Sequence, residues 1–124
     1  MKRIQKAVIK KNRKFLILLR SASSKHFPLH WDFPGGKLEE SEDPYKGMER
    51  EVVEETSLKV KALKKLAEYD MAIEGIPHRF TLYATKLLSG NVKISKEHLR
   101  FKWANKGEVL NLKTEPYIKK YLKK

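Results

Sequence analysis

Three carboxylates crowd one short stretch of this chain: Glu51, Glu54 and Glu55. On a helix over residues 43–56, about 100° per residue places them within an arc of roughly 100°. Tyr45, Met48 and Val52 take the neighbouring arc, the natural buried face, so the acids border the core instead of opposing it. At i,i+4, Glu51 and Glu55 repel each other, more strongly if the site is partly enclosed. A divalent cation removes that repulsion, and clustered hard oxygens suit Mg²⁺, with Mn²⁺ as the second candidate. Gly35-Gly36 just upstream lets backbone carbonyls and amides approach a metal or a phosphate closely. The competing reading is an ordinary Glu-rich surface helix whose acids pair with Lys46 and Arg50.

The helix that carries the acids has clear ends. Asp43 is a good N-cap, Pro44 suits the first helical position, and the helix is expected to stop near Ser57. Upstream, residues 2–11 and 15–20 read as two strands joined by a hairpin turn over Lys11-Asn12-Arg13-Lys14. Ser21 to His30 reads as a polar loop, and Pro34-Gly35-Gly36 is the sharpest break in the chain. Downstream, Leu58, Val60 and Ala62 alternate as in a strand, and the pattern turns ambiguous over Leu63–Tyr69. Glu74-Gly75-Ile76-Pro77 reads as a turn, Phe80–Ala84 as a strand ended by Ser89-Gly90-Asn91, and Phe101–Ala104 as a short strand. Glu115–Leu122 predicts a terminal helix with Tyr117, Ile118, Tyr121 and Leu122 on one face. The pattern is a mixed α+β domain of several strands and two or three helices.

Composition narrows the function classes. The 124 residues are expected to form one domain over 1–124. There is no Cys, which excludes disulfides, thiolate catalysis and Cys-based zinc sites. The longest apolar run, Phe15–Leu19, is far short of the roughly 20 residues a membrane span needs. No apolar segment follows Met1-Lys2-Arg3 as in a signal peptide, so the expected compartment is the cytoplasm. Lys and Arg number 28 against 15 Asp and Glu, a net charge of +13, which calls for an anionic partner. Either solvated faces or an RNA-binding surface accounts for the basic excess.

From Gly36 the chain reads Gly, five residues, Glu42, seven residues, then Arg50-Glu51-Val52-Val53-Glu54-Glu55-Thr56-Ser57-Leu58. This resembles the Nudix box, G-x5-E-x7-R-E-U-x-E-E-x-G-U with U a bulky aliphatic residue. One defined position departs, Ser57 standing where the pattern closes with Gly. Trp31-Asp32-Phe33-Pro34-Gly35-Gly36 also resembles the lead-in of the nucleotide-sanitising, MutT-type members. The resemblance implies an α/β/α sandwich with a mixed sheet between helices, and water attack on the diphosphate of a nucleoside diphosphate derivative. It further implies Glu51, Glu54 and Glu55 as metal ligands, the Gly35 carbonyl as another, and Arg50 orienting a box Glu. Glu42 would support the site from the loop. Glu51 or Glu54 is the first choice of general base. Glu97, on a loop before a strand bearing Trp103, is the rival and a further metal ligand. The chemistry is consistent, because a carboxylate cluster repels a polyanionic pyrophosphate unless a cation intervenes.

Trp31, Phe33, Lys37, Tyr83 and Thr114 are the candidates for contacting substrate, with Phe27 and His30 as further aromatic walls. His78 and His98 read first as solvated loop residues, with contact to phosphate or water as the alternative. Thr114-Glu115-Pro116 resembles the Asn-Glu-Pro segment of MutT-type enzymes, in which the Asn reads the oxidised purine. A hydroxyl lacks that two-point contact, so strict 8-oxoguanine selectivity is not expected. The expected substrate is a nucleoside triphosphate, cleaved to monophosphate and pyrophosphate by a monomer or homodimer. The alternatives are ADP-ribose, dinucleoside polyphosphates or RNA 5′ ends, and, in another class, a non-catalytic nucleotide- or RNA-binding module.

Overall fold

The computed structural model describes residues 1–124. The strands are β1 (Lys2–Val8), β2 (Lys10–Lys11), β3 (Lys14–Arg20), β4 (Trp31–Asp32), β5 (Gly35–Lys37), β6 (Lys59–Ile73), β7 (Ile76–Ser89) and β8 (His98–Ala104). The helices are α1 (Pro44–Thr56), α2 (Lys106–Leu110) and α3 (Pro116–Leu122). A mixed sheet runs β5-β1-β7-β6, with β1 parallel to β7 and the other pairs antiparallel. In the second, antiparallel sheet β3 pairs with β2, β4 and β8. No helix is long and apolar enough to cross a membrane.

Alternation along the strands sorts the core into two halves. Phe15 and Ile17 of β3, Val8 of β1 and Phe80 and Leu82 of β7 pack with Tyr117, Ile118 and Leu122 of α3. Their sequence neighbours Leu16, Leu18, Ala7 and Tyr83 face the other way, onto Met48 and Val52 of α1. Strands covered on both faces read as continuous apolar runs, as Phe15-Leu16-Ile17-Leu18 does. The expected sandwich of helices around a mixed sheet is therefore present.

Several element boundaries differ from expectation, each for a visible reason. The single strand over residues 2–11 is two, because the buried Ile9 carries the chain from one sheet to the other, its carbonyl accepting from Leu16 N at 3.0 Å. Leu63–Tyr69 is strand, and its alternation is lost where the register with β7 shifts twice, between Ala62 and Lys64 and between Lys65 and Ala67. The turn before β7 needs only Glu74 and Gly75, at φ 52° and 78°, so Ile76 and Pro77 already belong to β7. Both β7 and β8 outrun their apolar cores. The short α2 was not foreseen; Asn105 caps it by accepting from Glu108 N at 2.8 Å.

The acid-bearing helix is as expected. Asp43 accepts from Lys46 N at 3.0 Å, Pro44 opens α1, and Ser57 ends it at φ 64°, donating its N–H to the Val53 carbonyl.

Candidate active site

Tight backbone contacts set α1 against β5. At Gly35, φ is 142° and a Cβ would sit 2.0 Å from the Gln5 carbonyl, so only glycine fits there. At Gly36 a Cβ would lie 2.6 Å from the Glu51 Oε2, which means the carboxylate rests on the bare backbone. Glu55 is buried and accepts from Gly35 N at 3.0 Å. Burial pushes its carboxyl up to about 8, although Lys6 and the Gly35 bond oppose the rise. Burial also raises Glu51, against the pull of Arg50.

Arg50 is the hub of the remaining acids. It donates to both Glu42 oxygens at 2.7 and 3.0 Å, to Glu51 at 3.2 Å and to Glu54 at 3.1 Å. The two-point bond to Glu42 has the fork geometry of strong guanidinium–carboxylate pairs. Glu42 also accepts from Glu39 N at 3.0 Å, which ties the β5–α1 loop to the helix. Glu54 points outward, its side chain 55% exposed.

Glu97 is brought in by non-local bonds. The last carbonyls of α1, otherwise unpaired at a helix end, accept from the loop before β8: Thr56 from Lys93 N at 2.9 Å and Glu55 from Ser95 N at 3.1 Å. The Glu97 carbonyl accepts from Ser21 N at 3.2 Å. Glu97 itself is exposed and lines one cavity together with Gly35, Gly36, Glu51 and Glu55. That cavity measures about 310 Å³.

The same cavity is also lined by Lys6, Arg20 and Glu115, which sequence reasoning missed, and Lys6 reaches the Gly35 carbonyl at 3.5 Å. Lys6 donates to Asp32 at 2.8 Å, Arg20 reaches Asp32 at 3.2 Å and Glu115 at 3.5 Å, and the Tyr117 hydroxyl donates to Asp32. Burial alone would raise Asp32, but Lys6, the hydrogen bond from Glu115 and Arg20 hold it at about 2. Burial and the Asp32 charge push Glu115 well above the carboxylate range. Because its side chain turns inward, Glu115 gives α3 no side-chain cap. The signal for this group was charge where the pattern calls for core: Lys6 before Ala7-Val8-Ile9, and Asp32 between Trp31 and Phe33.

Among the expected substrate contacts, Lys37 and Phe27 line the cavity. Phe33 does not: it is fully buried between Phe15 and Tyr117, at 6.0 and 6.1 Å between ring centres. Tyr83 is core on the α1 side, with its hydroxyl bonded to Gln5. Trp31 packs against the α3-side core and bridges to Thr114, which is itself buried; neither they nor His30 line the cavity. The apolar wall is instead Phe27, Ile4, Ile73 and Phe80, with His26 and His78 beside it. His78 and His98 are buried, contrary to expectation, and burial pushes His98 down to about 4.

The oxygen donors suit a hard divalent cation. As the side chains stand, no three acidic or imidazole groups converge on one point, because Arg50 and Gly35 N hold them. The chemistry of the set nevertheless fits: Glu55 carries a proton near neutral pH that a cation would displace, and Glu51 lies on the Gly36 backbone in the same cavity.

A family model described as NUDIX domain matches residues 2–124, and the chain belongs to the Nudix family. It is accordingly a pyrophosphohydrolase of nucleoside diphosphate derivatives that requires a divalent metal ion. The chain is similar to the crystal structure of a MutT protein from Methanosarcina mazei Go1, at 24% identity and TM-score 0.91 over 98% of this chain and 90% of that one. It is also similar to the solution structure of the E. coli ORF135 protein, at 24% identity and TM-score 0.87 over 99% and 86%. A C. elegans Ap4A hydrolase in a binary complex follows the same fold, at 21% identity and TM-score 0.80 over 99% and 93%. No curated protein matches the chain.

Proposed function

We propose that the chain hydrolyses a nucleoside or deoxynucleoside triphosphate to the monophosphate and pyrophosphate, with Mg²⁺ as its ion, as a nucleotide-pool sanitising enzyme does. The observation that carries this reading is one cavity lined by Glu51, Glu55 and Glu97 together with apolar side chains and buried polar groups. Its volume of about 310 Å³ suits one nucleotide. In this reading Glu51, Glu55 and the Gly35 carbonyl hold the ion, with Glu54 joining from the outer face of α1. Bound there, Mg²⁺ supplies an electrophile for the phosphate oxygens and an acidified water. Water oxygen forms the new bond to one phosphorus of the anhydride, the P–O bond between that phosphorus and the bridging oxygen breaks, and the bridging oxygen leaves with the other product. Glu97 accepts the water proton, since its carboxylate lines the cavity with no hydrogen-bond or ionic partner while Arg50 holds Glu51 and Glu54. Arg50 fixes the rotamers of the box acids, and Phe27, Ile73 and Phe80 exclude water from around the base.

The test is a substrate panel. The protein with Mg²⁺ is incubated with canonical and oxidised triphosphates, ADP-ribose, dinucleoside polyphosphates and 5′-triphosphorylated RNA, and the products are separated by chromatography. Release of monophosphate and pyrophosphate from free triphosphates is expected. Turnover confined to ADP-ribose, dinucleoside polyphosphates or RNA ends replaces this reading. Salt-sensitive RNA binding without any turnover makes the chain a binding module instead.

A further inference from the structure

Beside the proposed catalytic cavity lies a second pocket of about 360 Å³, lined by polar and charged residues. Arg20 and Glu97 line both pockets, so the two adjoin. The remaining walls come from the β3–β4 loop, Ser21, Ser23, Ser24 and Lys25, and from Lys96 of the loop before β8. No apolar residue faces it.

The pocket has spare donors and spare positive charge. Arg20 is committed to Asp32 and Glu115, but Lys25 and Lys96 form no ion pair anywhere in the molecule. The serine hydroxyls bond only to one another, Ser21 to Ser23 at 3.2 Å and Ser21 to Ser24 at 3.4 Å, and each rotates freely toward an acceptor. The two loops are braced: Ser24 N donates to the Ser21 carbonyl at 3.2 Å, and Ser21 N to the Glu97 carbonyl at 3.2 Å. Two free ammonium groups and three hydroxyls around a braced polar hollow match the oxygens of a phosphate. Glu97 is the one anion at the rim, and the two lysines offset its repulsion of a phosphate.

We propose that this pocket receives the terminal phosphate of the substrate. The site then selects a polyphosphate tail over a sugar as the group beyond the diphosphate. This rests on the triphosphatase reading above and narrows it. Lys25 and Lys96 act by binding, not in the chemical step.

The test compares Lys25→Gln/Lys96→Gln with the wild type on a nucleoside triphosphate and on ADP-ribose, each with Mg²⁺. The KM for the triphosphate is expected to rise about tenfold at little-changed kcat, and product inhibition by inorganic pyrophosphate to weaken to a similar degree. Any slow hydrolysis of ADP-ribose should keep its constants. A control, Lys119→Gln/Lys120→Gln on α3, removes the same charge elsewhere and should leave the triphosphate KM unchanged. An unchanged KM in the first variant overturns the proposal, as does an equal rise in both variants or for both substrates. Should the wild type ignore triphosphates altogether, it is the triphosphatase reading that fails. Calorimetric titration of wild type and variant with inorganic pyrophosphate then decides the pocket alone: equal affinities dismiss it, and a tenfold weaker variant keeps it.

Discussion

The Glu51 carboxylate lies on the Gly36 backbone, close enough that a methyl group on residue 36 would stand 2.6 Å from Oε2 and 2.7 Å from Cδ. The atoms in the way are the far end of a flexible side chain, so Gly36→Ala is expected to fold at a cost below about 1 kcal/mol, within the range of ordinary surface changes and minor core ones. Glu51 must rotate out of the cavity to make room. Turnover should fall at least tenfold while the unfolding midpoint in urea barely moves. Full activity in Gly36→Ala would detach Glu51 from the chemistry.

Glu55→Gln separates the structural role of that residue from its catalytic one. With its carboxyl pushed up to about 8, Glu55 carries a proton through most of the neutral range while it accepts from Gly35 N. A glutamine carbonyl accepts the same bond, and burial favours the neutral amide. Stability without added metal is therefore expected to hold or rise. Mg²⁺-dependent turnover should drop by orders of magnitude, because a neutral amide is a poor ligand for a hard cation. Thermal melts with and without Mg²⁺, beside a turnover assay, check both halves. The Glu54→Gln variant, altered on the exposed side of α1, should likewise lose turnover and keep its melting temperature.

How far the chain announced this site depends on how local each part is. The capping of α1 by Asp43 and Pro44, its exit at Ser57 and the grouping of Glu51, Glu54 and Glu55 follow from neighbours within a few turns, and all were legible. Lys6, Asp32 and Glu115 are far apart in the chain and meet only because β1, β4 and the entry to α3 converge, so no spacing rule flags them. Aromatic identity likewise says nothing of direction. Phe33 and Tyr83 read as walls, but both are core, while Ile73 and the largely buried Phe80 line the cavity. In β6 two register shifts broke the alternation that would have marked a strand.

The neutral, buried His98 makes stability depend on pH in a defined window. Burial pushes its ring from the ordinary 6.5 down to about 4, so the unfolded chain binds a proton that the folded one refuses between those values. The sign follows: the contribution is complete above about pH 6.5 and is lost as pH falls toward 4. With solvent screening taken into account, the loss is about 2 kcal/mol. Urea unfolding of wild type and His98→Leu at a series of pH values isolates this group from the titrating carboxylates. The difference between the two should change across the window and stay level from pH 7 upward. A constant difference would mean that His98 titrates alike in both states.

Ser57 carries a cost that one substitution can remove. It ends α1 at φ 64°, where a Cβ is disfavoured by roughly 1 kcal/mol and where glycine is the usual occupant. Its N–H makes the closing bond to the Val53 carbonyl at 2.9 Å, which a glycine retains in full. The hydroxyl contributes only a 3.5 Å contact to the Lys93 carbonyl, too long to be worth much. Relief of the left-handed strain is offset in part by the greater freedom of glycine in the unfolded chain. Ser57→Gly is therefore expected to stabilise the protein by about 0.5 kcal/mol, read as a small rise in the urea midpoint at unchanged m-value. Turnover should stay within about twofold of the wild type, because Glu54 and Glu55 keep their positions when the exit bond is kept. A fall in the midpoint would show that the serine hydroxyl anchors the Asn91–Ser95 loop, and through it Glu97, more firmly than its distance suggests.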